Sequence, residues 1–302
     1  MQGKILVVGS LNMDLVVNVA RHPQIGETIL GGKFSTIPGG KGANQAVAAA
    51  RMGSAVTMIG RVGQDGFGSE LRASAAKDEI DIQHVTVDER EATGIALITV
   101  DAVGRNTIVV ASGANLALTP RELDAARQAF SNADVFVTQL ESPLETVSAA
   151  ITLAAANNLR VVLNPAPAQT LSAEILSKVD YFIPNEREAM QVVGAETLDS
   201  AIEQLLGMGV RNLIITLGEK GVLIVTAAGR KEIPPYSVQA VDTVAAGDAF
   251  VGAFATGLAE GMNTEQAAQL GNAAAAISVT RHGAQPSLPM RKEVNEFLGG
   301  QK

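Results

Sequence analysis

Cysteine is absent from the 302 residues, so the chain can form no disulfide, thiolate metal site or cysteine nucleophile. That lack fits a reducing, cytoplasmic setting. Tryptophan is absent too, and aromatic residues make up only 3%, which leaves Ala, Val, Leu and Ile to build the core. No apolar stretch approaches the roughly 20 residues that span a bilayer. The N-terminal run Ile5 to Val8 is too short for a secretion signal and reads as a first β-strand. Long runs of Lys and Arg are missing as well. The net charge of −8 repels nucleic acid and anionic lipid, so neither is an expected partner. An anionic ligand would need a locally positive pocket or a metal ion. Histidines are few: His22, His84 and His282 are scattered and have no serine or acid at a recognisable spacing. Their pattern argues against a hydrolase triad.

What is present is an ordinary globular balance, 47% hydrophobic and 18% charged. Ile5 to Val8 is an unbroken apolar run, as in a strand buried on both faces. A polar loop, Gly9 to Asp14, follows, and Leu15 to Val19 is strand-like. The segment from Pro38 to Asn44 leads into an Ala-rich helix, Gln45 to Met52, stopped by Gly53. Gly94 to Val100 and Asn106 to Ala111 read as two strands joined by a turn at Asp101 to Gly104. Thr119-Pro120-Arg121-Glu122 is a capping box with proline at the first helical position, and Ser142-Pro143-Leu144-Glu145 repeats the pattern. The helices they open alternate with strands at 135–139, 161–164, 181–184 and 212–217. Such alternation predicts an α/β domain with a mostly parallel sheet covered by helices on both faces. Helices are expected over 248–260 and 264–280. The whole chain, 1–302, reads as a single domain. The early strands, near 15–36 and 94–112, fall outside the alternation and would form a small separate sheet.

Three segments carry chemistry. In Asp242-Thr243-Val244-Ala245-Ala246-Gly247-Asp248 small residues run into a helix start. Free N–H groups at Ala245, Ala246 and Gly247 can face an anion, and the helix field favours the ionised form of Asp248. A carboxylate beside an anion hole can accept a hydroxyl proton. Taken alone, the segment is matched equally well by an ordinary first-turn acid with packing residues. Gly39-Gly40-Lys41-Gly42-Ala43-Asn44 is not a Walker A loop, since no Ser or Thr follows the lysine. It also lacks the third glycine of a dinucleotide fingerprint, because Gln45 stands there. Its glycines allow close backbone approach to a ligand, and Lys41 and Asn44 supply donors. Asn185 and Glu188 share one face of a starting helix and could organise Mg²⁺ and its waters. Alone, the pair reads better as an N-cap with its capping-box acid. Asp14 and Glu141, at strand ends, could bind neutral hydroxyls, although each alone is an ordinary loop acid.

Together these segments resemble the ribokinase family of carbohydrate kinases over essentially the whole chain, from Gly9-Ser10-Leu11-Asn12-Met13-Asp14 to Gly283-Ala284-Gln285-Pro286-Ser287. Both family signatures stand in order, at 39–46 and 242–248. The resemblance implies a mostly parallel sheet flanked by helices, with a small β-sheet lid over the sugar that often makes a homodimer. It implies phosphorylation of D-ribose at O5 by ATP, giving ribose 5-phosphate. Asp248 would be the base, and the amides of Ala245, Ala246 and Gly247 the anion hole. Asn12, Asp14, Gly40, Lys41, Gly42, Ala43, Asn44 and Glu141 would hold the sugar. Asn185, Glu188, Thr216, Leu217, Gly218, Glu219, Lys220, Gly221, Gly247 and Asn272 would serve the nucleotide, with Glu188 acting on Mg²⁺ indirectly. An activating K⁺ would lie at Asp242, Val244, Ser278, Arg281, Gly283 and Ser287, partly on backbone carbonyls. Sister kinases of deoxyribose, a nucleoside or a ketohexose are the nearest alternatives. A non-catalytic sugar or nucleotide sensor is more remote, since a pure binder has no need of a base at Asp248. The missing glycine fingerprint speaks against a nicotinamide dehydrogenase.

Overall fold

Strand β1 (Lys4–Val8) shows why this sheet needs helices on both sides. Ile5 and Val7 enter one apolar cluster, and Leu6 and Val8 enter another, because successive strand side chains point to opposite faces. In the computed structural model, which describes residues 2–300, the later strands are β2 (Asn12–Asn18), β3 (Phe34–Gly39), β4 (Ala55–Gly63), β5 (Asp81–Asp88), β6 (Gly94–Val100), β7 (Asn106–Ala111), β8 (Val135–Thr138), β9 (Arg160–Leu163), β10 (Tyr181–Phe182), β11 (Asn212–Thr216), β12 (Val222–Thr226) and β13 (Gly229–Ile233). The helices are α1 (Lys41–Arg51), α2 (Gly66–Lys77), α3 (Pro120–Ala125), α4 (Arg127–Asn132), α5 (Leu144–Ala156), α6 (Ala173–Leu176), α7 (Glu186–Val193), α8 (Leu198–Gly207), α9 (Ala246–Ala259), α10 (Thr264–Ser278) and α11 (Arg291–Gly300).

Nine strands form the large sheet in the order β13-β12-β11-β10-β9-β8-β1-β4-β5. It is parallel from β11 to β5, as the alternation predicts. Strands β12 and β13 add an antiparallel edge that the alternation did not announce. Helices α1, α2, α9, α10 and α11 bury their apolar residues with Ile5 and Val7, whereas α3 to α8 bury theirs with Leu6 and Val8.

The second sheet has the order β3-β2-β6-β7 and matches the expected small separate sheet. Asp14, Ala96 and Val110 are register partners across β2, β6 and β7 and so share one face. All six residues of β7 are exposed, including Ile108, Val109 and Val110.

Three local expectations change. Strand β2 begins at Asn12, so Asn12 and Asp14 stand on the small sheet rather than in a loop. Helix α1 begins at Lys41, four residues before Gln45, with Gly40 as its N-cap at φ 88°. The repeated capping box at Ser142 is not formed: α5 starts after Pro143 without a side-chain cap, and the Ser142 hydroxyl is buried without a partner. The box at Thr119 and Glu122 does form.

Helices α1 and α9 cross very closely. A Cβ at Gly252 would lie 2.5 Å from Ala48 Cβ and 2.7 Å from the carbonyl oxygen of Gln45. Both neighbours belong to a buried helix and cannot rotate away. Gly252→Ala should therefore destabilise the protein by about 1–3 kcal/mol, the usual cost of overpacking. A chemical denaturation curve measures it, and an unchanged midpoint would contradict this packing.

Candidate active site

The site starts from two helix N-termini and one strand. Gly40 takes a left-handed conformation, and a Cβ there would lie 2.6 Å from the amide nitrogen of Asn12. The glycine loop therefore packs closely against the chain's own β1–β2 connection. The Lys41 amide and Asn12 Nδ2 on either side of that contact both reach Glu141. The second N-terminus is that of α9. Ala245 is its N-cap, at φ 60°, and Asp248 lies in the first turn. Among the described residues the amides of Ala245 and Gly247 have no partner in the protein, while the Ala246 amide turns back to the Thr243 carbonyl at 3.3 Å.

Asp248 is buried, and both carboxylate oxygens accept from α1. Asn44 Nδ2 donates to Oδ2 at 2.9 Å, and Gln45 Nε2 donates to Oδ1 at 2.9 Å. The Oδ1 of Asn44 is buried without a partner. Glu141 accepts from the Ser10 hydroxyl at 2.5 Å, from the Lys41 amide at 3.1 Å and, more loosely, from Asn12 Nδ2 at 3.4 Å. Asn115 holds the same connection: its Nδ2 donates to Asn12 Oδ1 at 2.8 Å and its Oδ1 accepts from the Leu11 amide at 2.9 Å.

The electrostatics centre on Lys41. Burial pulls its ammonium down, but Asp248, Glu141, Glu188 and Asp14 together hold it above its ordinary value. Burial pushes the Asp248 carboxyl up, against Lys41 and the two amide donors. Glu188 is also raised by burial, with the Asn185 amide and Lys41 opposing. The Asp14 carboxyl is pushed up to about 7 by burial and then by Glu141 and Asp248. Desolvation of clustered carboxylates acts in this direction.

A cavity of about 190 Å³ joins the two halves, lined among others by Lys41, Asn164, Asn185, Glu188, Thr216, Gly247 and Asp248. Asn185 and Glu188 do form the capping box: Asn185 Oδ1 accepts from the Glu188 amide at 2.8 Å, and Glu188 Oε2 accepts from the Asn185 amide at 2.9 Å. This leaves Glu188 Oε1 and the side-chain Nδ2 of Asn185 for a ligand. Leu217, Gly218, Glu219, Lys220 and Gly221 lie beyond Thr216 and do not line the cavity, nor does Asn272, whose Nδ2 donates to the Pro234 carbonyl at 2.8 Å. A larger cleft of about 600 Å³ borders α3, α5 and α6, but its Asp124 and Arg127 simply pair with each other.

Asp242 accepts from the amides of Val244 and Gly283 at 3.0 and 2.9 Å, tying the loop before α9 to the loop after α10. The Ser278 and Ser287 hydroxyls bond each other at 2.8 Å. The Arg281 side chain turns away to Glu293. Among the described residues no three His or acidic side chains converge closely enough to hold a metal alone. Ser10, Gln45, Asn115 and Asn164 were not singled out in the sequence. Their partners lie 104 to 203 positions away in the contacts of Asn115 with Leu11 and of Gln45 with Asp248, so no local spacing marks them.

Comparison with known proteins gives a consistent picture. The family model described as "pfkB family carbohydrate kinase" matches residues 2–291. A ribokinase of Haemophilus influenzae is 42% identical over 303 residues, covering 99% of each chain. A deoxyribokinase of Salmonella typhi is 38% identical over 300 residues, 97% of this chain and 98% of the relative. The structure of Arabidopsis thaliana ribokinase complexed with ribose and ATP superposes with a TM-score of 0.92, at 30% identity and 99% coverage of both chains.

The Asp14 shift has a measurable sign. Between its ordinary 3.8 and about 7 the folded protein keeps a proton on Asp14 that the unfolded chain has lost. The folded state then binds more protons, so this group makes stability fall as pH rises through that window. Asp14→Asn removes the effect. Without ligand, its Tm advantage over wild type should grow from about pH 4 to about pH 7 and then level off. An advantage that shrinks over that range would refute the assignment.

Proposed function

The chain belongs to the pfkB family of carbohydrate kinases, and from that premise we propose that it phosphorylates D-ribose at O5 with ATP, using Asp248 as the base. The carrying observation is the buried carboxylate at the start of α9, facing a cavity that also holds Lys41 and the Asn185/Glu188 pair. In the reaction, Asp248 takes the O5 proton, O5 forms its bond to the γ-phosphorus, and the bond to the bridging oxygen breaks to release ADP. The unpartnered amides of Ala245 and Gly247 face charge that develops on the transferred phosphoryl group. Lys41 adds a fixed cation. The sugar is assigned to Asn12, Asp14, Asn44 and Glu141 with the backbone of Gly40, Gly42 and Ala43. Leu217 to Gly221 and Asn272 are assigned to the nucleotide, beyond Thr216.

ATP use implies a divalent ion such as Mg²⁺. The donor set fits an ion that arrives with water and phosphate oxygens, because Glu188 offers one unengaged carboxylate oxygen and no acidic triad is present among the described residues. When bound, such an ion neutralises phosphate charge. K⁺ fits the junction of Asp242, Val244, Ser278, Gly283 and Ser287, which is built from oxygen donors; at Arg281 only the carbonyl is available, since the side chain pairs with Glu293. The uncovered strand β7, together with Leu97 and Phe34, supports a homodimer through the small sheet, since open edges of this kind need covering. No helix among the described residues is long and apolar enough to cross a membrane. Because ATP is the donor, the cytoplasm is the proposed location.

Deoxyribose is the second reading, favoured by the 38% identity to a deoxyribokinase. A site built to bond a hydroxyl rejects the analogue that lacks it.

Two measurements test these assignments. Asp248→Asn should lower kcat by about 10²–10⁴-fold while ATP still binds; a near-normal kcat would refute the base. A kcat/KM panel over ribose, deoxyribose, fructose and adenosine, with and without K⁺, should favour ribose and rise with K⁺. Preference for deoxyribose, or indifference to K⁺, would overturn the corresponding assignment.

A further inference from the structure

Gln45 has no place in the proposed chemistry, yet it is almost fully buried against the reacting carboxylate. Its two amide hydrogens are both used: Nε2 donates to Asp248 Oδ1 at 2.9 Å and to Asn164 Oδ1 at 3.1 Å. Its Oε1 accepts from Gln139 Nε2 at 2.6 Å. Asn164 Nδ2 in turn donates to the backbone carbonyl of Ile183 at 2.8 Å. A backbone carbonyl can only accept, so the direction of the whole chain is fixed from that end. Ile183 forces Asn164 to turn its oxygen toward Gln45. Gln45 must then present its NH₂ group, and the second hydrogen of that group falls on Asp248.

We propose that Gln45, oriented by Asn164 from the Ile183 carbonyl, is the positioning residue that fixes the Asp248 carboxylate and keeps it ionised. The inference rests on the assignment of Asp248 as the base. Gln45 and Asn44 follow one another on α1 and donate to different oxygens of Asp248, so the plane of the carboxylate cannot rotate. The two donors differ in availability. Asn44 keeps a buried oxygen without a partner, so its amide is not held on both sides. Gln45 has all three polar positions engaged inside the protein and so stays in place. Hydrogen bonds to the charged form of a buried acid lower its pKa, and this one joins Lys41 and Asn44 in opposing the desolvation and the Glu141 charge that raise Asp248.

The test is the pH profile of kcat for Gln45→Met, which keeps the length of the side chain and removes its donors. The acid limb should move up by about one pH unit, equivalent to about a tenfold loss of kcat below it, with little change in KM for sugar or nucleotide. A residue that only fills space would leave the limb where it is. A folded Gln45→Met with the wild-type limb overturns the proposal. Should that variant fail to fold, Asn164→Leu carries the test: it leaves Gln45 present but frees its amide, and the limb should shift in the same direction. A wild-type limb in that variant also overturns it. Asp248→Asn is the control. If it retains kcat, the base assignment fails; if it loses kcat while Gln45→Met keeps the wild-type profile, only the positioning role fails.

Discussion

The close crossing of α1 on α9 is the contact on which the site depends. Gly252 leaves room for the backbone of Gln45 and for Ala48, and only small residues allow helices to approach so nearly. The shortage of aromatic residues and the abundance of alanine follow the same logic: this half of the core is built by close approach of backbones. Because the helices nearly touch, short amide side chains on α1 reach a carboxylate on α9. With a wider separation Asp248 would be buried without donors, at a cost that would protonate it.

That arrangement also sets the electrostatics. Four carboxylates surround Lys41, and burial raises three of them: Asp14, Glu188 and Asp248. The lysine and the α9 N-terminus supply the positive field that an acidic protein needs to receive a polyanion. In the proposed reaction the carboxylates accept from sugar hydroxyl groups. Helix α1 brings Lys41 into the cavity that Glu188 and Asp248 also line, whereas Asp14 and Glu141 do not line it.

The small sheet is tied to this centre through β2. Its first residue, Asn12, is held by Asn115, and Glu141 is held by Ser10 and the Lys41 amide. Strand β2 therefore starts the small sheet, just after β1 of the large one, already carrying two candidate sugar ligands, Asn12 and Asp14. The rest of that sheet is free to extend into solvent, which is why β7 can be exposed along its whole length.

The sequence by itself determined the parts that obey short periods. Ile5 to Val8 announced a strand buried on both faces. Thr119 and Glu122 announced a capped helix, and Asn185 with Glu188 announced the cap that the structure contains. Asp248 was legible as an acid in a first helical turn, since position and residue type suffice to say so. Tertiary structure decided the rest. Ser142 carries the same local signal as Thr119, but its hydroxyl is buried and α5 begins one residue later. The glycines at 39–42 were legible as a place of close approach, but not that the approach is to Asn12. Asn164 and Asn115 gave no signal at all, and Gln45, though inside the signature at 39–46, gave none of its role. Their meaning lies in hydrogen bonds to partners from 19 to 203 residues away, and such bonds exist only once packing has brought two helices and several strand ends together.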